Sequence, residues 1–289
     1  MTGDSELLDE VIARISGEFE PGERAMATDF AQAYLRRRPT GDERSAGEWV
    51  AEMRGIFEFI RVRTDPFLVR VFNPDPETDG YGSRGTVVEV NIEDGPFLLD
   101  SLTNEIQAHG LEVARVTHPV IGVDRDSDGR LTWVGHARHA RHKESVEHYE
   151  LDRKLFPADL PGLERAIRSV LSDIKAAVRD FHPMMDRIKR MVEIVRRATG
   201  FYPEADLGEA IAFLQWLRDE NYVFLGYREY KVEEEDGQAV VRAELGTGLG
   251  ILSDHEGSEA AKAVPLATMR PELVARYKEG DLLIITKTN

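Results

Sequence analysis

The stretch from Gly85 to Asp124, GTVVEVNIEDGPFLLDSLTNEIQAHGLEVARVTHPVIGVD, constrains the fold more than any other part of the chain. Val88, Val90 and Ile92 alternate with Glu89 and Asn91, the period-two pattern of a strand with one face buried. Asp94-Gly95-Pro96 stops that strand. Asp94 or Gly95 is expected to cap a helix, with Pro96 at its first position, where a missing N–H costs nothing. Leu98, Leu102 and Ile106 follow at four-residue spacing with Leu99 beside them, so one helical stripe faces the sheet. Gly110 is placed to end the helix in a left-handed conformation. Leu111 and Val113 open the next strand, and a change of phase near Arg115 predicts a bulge. The whole reads as one β–α–β unit with a short, glycine-containing first turn.

That turn has a functional reading. A helix N-terminus offers unpaired backbone N–H groups and a partial positive charge, which suit a carboxylate or a phosphate. Glycine lets a ligand approach the backbone closely. The same residues also make a good helix start and nothing more, and the local pattern leaves both readings open.

The remainder bounds what the turn can serve. A chain of 289 residues is long enough for two domains with proper cores. Its net charge of −16 argues against nucleic acid or an anionic membrane as partner, since both need a basic surface. With no cysteine, disulfides, thiolate metal sites and cysteine nucleophiles are out of reach, which fits a cytoplasmic setting. The start, MTGDSELLDE, lacks the basic and apolar regions of a signal peptide, and no apolar run approaches a membrane span. Leu282 to Ile285 reads as a strand just before the last residue, Asn289, so a fragment of something longer is expected.

In order, residues 6–38 read as helices, with Leu7, Leu8, Val11, Ile12 and Ile15 in one stripe and a second helix from Gly22 to Arg38, stopped by Pro39. A third, Ala46 to Arg61, turns Trp49, Met53, Ile56 and Ile60 inward. Arg36-Arg37-Arg38 suits a solvated helix C-terminus better than a phosphate grip. Phe67 to Phe72, Leu131 to His136 and Ser145 to Leu151 are expected strands. Asp124, Asp126, Asp128 and Gly129 match the start of a calcium loop, but Gly135 stands where a bidentate glutamate is needed, so a hairpin turn is expected. His136, His139 and His142, with His118 and His148 further off, suggest metal ligands. Arg138, Arg141 and Lys143 among them repel a cation, so a basic loop is expected and no metal. Leu163, Ile167, Val170, Ile174, Val178 and Phe181 predict a long amphipathic helix that Pro183 ends or kinks. Met184, Ile188, Met191 and Val195 carry its stripe onward as core. After Pro203 come a helix from Leu207 to Arg218, a strand from Tyr222 to Val232, a hairpin at Asp236-Gly237, and a bend at Gly246, Gly248 and Gly250 that only mimics a dinucleotide loop. No G-x-S-x-G, H-E-x-x-H or P-loop is present, and no catalytic residue is assigned.

At Asp94-Gly95-Pro96-Phe97-Leu98-Leu99 the chain resembles ACT domains, βαββαβ modules of ferredoxin-like topology that often bind amino acids as regulatory ligands. Their pocket commonly lies by the turn after the first strand, which implies Glu93, Asp94, Gly95, Pro96, Phe97 and Leu98 as ligand-binding candidates here. Four ordered phrases, DGPFLLDSLTNEIQAHGLEV, EAIAFLQWLRDENYVFLGYREY, GTGLGIL and LLIITKTN, resemble the N-terminal part of the large bacterial NAD-specific glutamate dehydrogenases and cover most of residues 50–289. The resemblance implies an α+β chain: N-terminal helices over 1–62, an ACT-like domain over 63–157, a helical segment over 158–202, and a truncated PAS-like or ACT-like α/β unit over 203–289. It also implies a homo-oligomeric parent whose downstream domains oxidise glutamate with NAD. This chain lacks that catalytic domain, its lysines and its nucleotide-binding fold, so neither activity nor a cofactor is expected of it. Two roles follow: a regulatory segment sensing an amino acid, or an architectural one pairing subunits without a ligand. Zinc sensing through His136, His139 and His142 is a distant third.

Overall fold

The computed structural model describes residues 2–37, 42, 44–253, 263–271 and 274. Contacts divide the chain into two compact units, Met1–Leu171 and Ser172–Asn289. The first contains α1 (Thr2–Glu18), α2 (Arg24–Leu35), α3 (Ala46–Ile60), β1 (Phe67–Phe72), β2 (Val87–Glu93), α4 (Leu98–Ala108), β3 (Val113–Thr117), β4 (Val120–Arg125), β5 (Leu131–His136), β6 (His142–Leu151) and the start of α5 (Leu160–Arg179).

The sheet runs β1-β2-β6-β4-β5, with β3 also paired to β6, and every pairing is antiparallel. β3 and β4 pair with successive halves of β6, so together they form one column interrupted at His118-Pro119. α4 connects β2 to β3 across β6, and the register of β3 shifts between Val113 and Arg115 as the sequence phase predicts. Gly110 ends α4 with φ +69, also as expected. The element order differs from the expected βαββαβ: two strands precede α4 and four follow it before α5.

The main correction concerns β2. Its alternation implies one solvated face, yet Val87 through Ile92 are all buried. Val88 and Val90 pair with Tyr149 and Glu147 of β6 and share one face with them. Glu89 and Asn91 pair with His148 and Val146 on the opposite face. The N-terminal helices cover that face: Val11, Phe30, Trp49 and Ile56 share a core with Ile121, Val123, Leu131, Val134 and Val146. α3 begins with a capping box in which Ser45 Oγ accepts from the Glu48 N–H (3.3 Å) and the Glu48 carboxylate accepts from the Ser45 N–H (3.0 Å). Its buried residues include Trp49, Met53, Ile56 and Ile60, as expected, and also Glu52.

The calcium-like spacing resolves into a turn between β4 and β5. Asp126 Oδ1 accepts from the N–H groups of Asp128 and Arg130, both at 2.9 Å. Gly129 adopts φ +74, and its carbonyl accepts from the Arg63 N–H at 2.9 Å. A Cβ at Gly129 would stand 2.2 Å from the Arg63 carbonyl oxygen. The turn therefore fixes the segment that leaves α3.

The second unit holds α6 (Phe181–Arg197), α7 (Glu204–Trp216), a π-helical turn over Leu217–Asn221, and β7 (Gly226–Tyr227), β8 (Tyr230–Glu235), β9 (Gln238–Ala243), β10 (Leu249–Gly250) and β11 (Val264–Pro265). Ile188, Val192 and Val195 pack against Leu207, Ala210 and Leu214. The helix break falls at Asp180 rather than Pro183, which sits in the first turn of α6, where proline is tolerated. The stripe of α5 is Leu163, Ile167 and Leu171, with Val178 and Phe181 exposed. The expected strand from Tyr222 to Val232 is split into β7 and β8. Asp236 (φ 52) and Gly237 (φ 76) form the hairpin turn between β8 and β9. Gly250 makes the bend with φ +59, and a Cβ there would lie 2.1 Å from the Leu225 carbonyl oxygen. Arg38, Pro39 and the expected strand from Leu282 to Ile285 lie outside the described residues.

Two glycines with nearly the same φ separate backbone strain from steric clash. Gly129→Ala adds a clash with backbone to a left-handed penalty of about 1–2 kcal/mol, whereas Gly110→Ala meets nothing within 4 Å. Urea unfolding of the first unit is expected to show a larger loss for Gly129→Ala than for Gly110→Ala. Equal losses would show that the contact between this turn and Arg63 is dispensable.

Candidate functional site

Three features meet at or near the end of β2: an exposed turn, a buried ionic network, and a cavity. β2 ends at Glu93, and the Asp94 N–H donates to the Lys143 carbonyl at 2.9 Å. The chain then takes longer to enter the helix than expected. Neither Asp94 nor Gly95 is the cap. Phe97 occupies that position with φ 70 and ψ −3 and no side-chain capping bond, so Pro96 precedes the cap rather than following it. Glu93, Asp94, Gly95, Pro96 and Phe97 are exposed, and Leu98 is buried as the first residue of the α4 stripe. A Cβ at Gly95 meets nothing within 4 Å, so the turn is open to an approaching ligand.

The network lies on the sheet face under α2 and α3. Glu52 of α3 accepts from Tyr34 Oη (2.7 Å), from Arg115 Nη2 of β3 (2.7 Å) and from Arg44. Arg115 also donates to Glu150 of β6 at 3.1 Å. On β2, Glu89 accepts from Arg70 Nε (2.9 Å) and lies 3.0 Å from His148 Nδ1. Arg115 Nη2 is 3.0 Å from His148 Nε2. A guanidinium only donates, so the ring accepts at Nε2 and donates from Nδ1 to Glu89. Burial alone would raise the Glu52 carboxyl, yet the His148 ring, Arg115 and Arg44 hold it down, from an ordinary 4.5 to about 2. Burial first, and Glu52 second, push the Tyr34 hydroxyl well up. Arg44 lies over the Trp49 ring, 4.1 Å from its centroid.

Among the described residues, the opposite face holds one buried acid. Glu147 accepts from Tyr149 Oη and from Ser145 Oγ (3.2 Å), and burial raises its carboxyl.

The cavity, about 280 Å³, opens where β2 ends, β6 begins and β4 finishes. Arg63, Glu93, Val123, Arg125, His142, Lys143 and Glu144 line it. Glu144 accepts from Arg125 Nε and Nη2 (both 2.8 Å) and from Asn91 Nδ2 (2.9 Å), and pairs with Arg63 Nη2 at 2.8 Å. Burial would raise its carboxyl, but Arg125 and Arg63 bring it below its ordinary value. Arg125 also reaches the carbonyls of Gly129 (2.7 Å) and Ile60 (2.9 Å). Of the six turn candidates, Glu93 alone lines this space. Two guanidiniums and two carboxylates around a small volume suit a ligand that carries charge.

The histidines do not converge. His136 Nδ1 accepts from the Arg138 N–H (3.1 Å), and its ring centroid lies 5.9 Å from that of His139. His142 lines the cavity, His148 is in the network, and His118 lies 3.8 Å from Glu147. Among the described residues no group of three or more His, Cys, Asp or Glu could hold a metal ion. No helix among them is long and apolar enough to cross a membrane.

Sequence reasoning missed Glu52, Arg63, Arg115 and the burial of Glu89 and His148. One signal was present. Glu52 follows Trp49 by three residues and precedes Ile56 by four, so it stands inside the apolar stripe of α3.

Residues 30–167 match the family described as glutamate dehydrogenase, ACT1 domain. The chain is similar to the NAD-specific glutamate dehydrogenase of Halomonas elongata, 32% identical over 276 residues and 86% of this chain, but only 17% of that protein. It is 35% identical to the Pseudomonas aeruginosa enzyme of the same name over 177 residues, 60% of this chain and 11% of that one. The Mycobacterium tuberculosis enzyme of that name is 27% identical over 210 residues, 69% and 13% of the two chains. The chain thus spans less than a fifth of the length of these curated relatives.

Glu52→Gln tests the network. Leaving Arg115 and Arg44 without their carboxylate is expected to destabilise the first unit by about 3–5 kcal/mol near neutral pH. A carboxyl lowered in the folded state stabilises above its unfolded value and loses that contribution as pH falls through the folded value. The gap between wild type and variant in urea unfolding should therefore narrow from pH 4.5 down towards 2. A gap that stays constant over that range would mean that Glu52 is not ionised in the fold.

Proposed function

We propose that this chain, which carries a glutamate dehydrogenase ACT1 domain and is homologous to a segment of the NAD-specific glutamate dehydrogenases, is a regulatory, non-catalytic segment of such an enzyme. Its parent would oxidatively deaminate L-glutamate to 2-oxoglutarate with NAD held by downstream domains. The segment senses an amino acid where β2 turns into α4, at Glu93, Asp94, Gly95, Pro96, Phe97 and Leu98. The observation that carries this reading is the open turn tied directly to a charged cavity: the Asp94 N–H bonds Lys143, which lines that space beside Glu93.

A ligand there would touch β2 and β6 at their ends, and the ionic network ties the same strands to α3. Binding acts on the parent enzyme only if the ligand prefers one arrangement of the segment over another, and the shift is limited by that difference in affinity.

An architectural reading has its own support. β1 and β5 are the two ends of the sheet, and β5 carries the half-exposed Trp133. Edges of this kind are templates for pairing, so homo-oligomer contacts through them are the alternative.

Thermal unfolding against a panel of amino acids at millimolar concentration separates the two. A ligand at a hundred times its dissociation constant adds about 2.7 kcal/mol to the folded state, a clear rise in midpoint. A flat panel, with dimers that form regardless of ligand, would overturn the sensing reading in favour of assembly.

A further inference from the structure

We infer that the cavity between Arg63 and Glu93 is the seat of a free α-amino acid, whose carboxylate binds Arg63 and whose ammonium binds Glu93. This rests on the sensing reading and goes beyond it, since it places the ligand on the α3 side of the sheet and assigns each end of the molecule.

The assignment follows from sorting the charges that line the cavity. Arg125 and Glu144 are engaged with each other through two bonds of 2.8 Å. Glu144 is further held by Asn91 and Arg63, and Arg125 by the Gly129 and Ile60 carbonyls. These two residues are wall, with little capacity left for a ligand. Arg63 differs. Its Nη2 meets Glu144 at 2.8 Å, but its Nη1 is buried and has no hydrogen-bond partner among the described residues. Burial lowers its basicity more than Glu144 and Glu93 raise it. A buried donor left without an acceptor costs roughly 1–3 kcal/mol, and a carboxylate on Nη1 removes that penalty with a charge-assisted bond.

Glu93 completes the set. It lines the cavity, is exposed, and its side chain has no hydrogen bond among the described residues. It repels a simple dianion such as phosphate and attracts an ammonium. One open carboxylate and one unmet guanidinium donor match an α-amino acid, which carries both charged groups on one carbon. Val123 supplies apolar wall. A volume of 280 Å³ is the share of roughly nine waters and is below the range of pockets for drug-sized ligands, which favours a small metabolite.

The test is calorimetric titration of the whole chain with the amino-acid panel, repeated on Glu93→Gln and Gly95→Val. Glu93 is exposed and makes no hydrogen bond among the described residues, so its substitution should leave the fold intact, and circular dichroism checks this. Glu93→Gln is expected to weaken the ligand found by roughly tenfold or more. Arg63→Met should also abolish binding, but it strips a partner from buried Glu144, so it is a supporting measurement. The corresponding acid lacking the amino group should bind wild type more weakly, and Glu93→Gln should erase that preference. If no amino acid binds, the sensing reading fails and this site with it. If one binds but is lost only in Gly95→Val, sensing stands and the site is the exposed turn. If the acid without its amino group, or inorganic phosphate, binds wild type as well as the amino acid does, the role given to Glu93 is refuted.

Discussion

The contact between Glu52 and Arg115 is the one on which the first unit depends. It joins α3 to β3, and through Glu150, His148, Glu89 and Arg70 it reaches β6, β2 and β1. Buried ion pairs add little net stability over a well-packed apolar replacement, because desolvation offsets most of the attraction. What this network supplies is register. A slip of β2 by one residue would carry Glu89 to the face of Val88 and Tyr149 and leave Arg70 and His148 facing a valine. Apolar cores tolerate such errors far better than buried charges do. The pairing that sets β2 against β6 also sets the strand ends that frame the cavity.

β2 shows how the parts connect. Glu89, Asn91 and Glu93 occupy alternate positions on one face. Glu89 belongs to the network, Asn91 bonds Glu144 and Arg125, and Glu93 lines the cavity. These three positions make a polar seam from the charge lock under α3 to the open end of the sheet. The other wall is held by backbone. The left-handed Gly129 brings its carbonyl to the Arg63 N–H and to Arg125 Nη1, so a turn whose carboxylates mimic a calcium loop serves instead to place two guanidiniums.

Much of this fold was legible because its signals are local. Phe67–Phe72 and Leu131–His136 came out at the expected residues, and α3 ended one residue short of the expected boundary. The bulge at Arg115, the left-handed Gly110 and the Asp236-Gly237 turn follow from single-residue stereochemistry. The errors are where distant parts of the chain decide. The helix start moved to Leu98 because Phe97 takes a left-handed conformation that nothing in its type foretells. Of the site, Glu93 was named, while Arg63, Lys143 and Val123 were not, since they come from three segments that only the sheet brings together.

The burial of Glu89 and Asn91 is the most instructive of these errors. In an antiparallel sheet, alternating polar positions ordinarily mean that one face meets water. Here α1, α2 and α3 share a core with β4, β5 and β6 on that face, and they bring polar groups of their own. Tyr34 and Glu52 come from the helices, and Arg70, Glu89, Arg115 and His148 from the strands. Neither set could be buried without the other, since each would leave charges unpaired in a low-dielectric interior. The helices are thus packed into the same unit as the sheet, and the family match, which begins at residue 30, takes in all of α3. Polar alternation in a strand of this kind marks the surface where the helices dock, and the cavity forms where that docking ends.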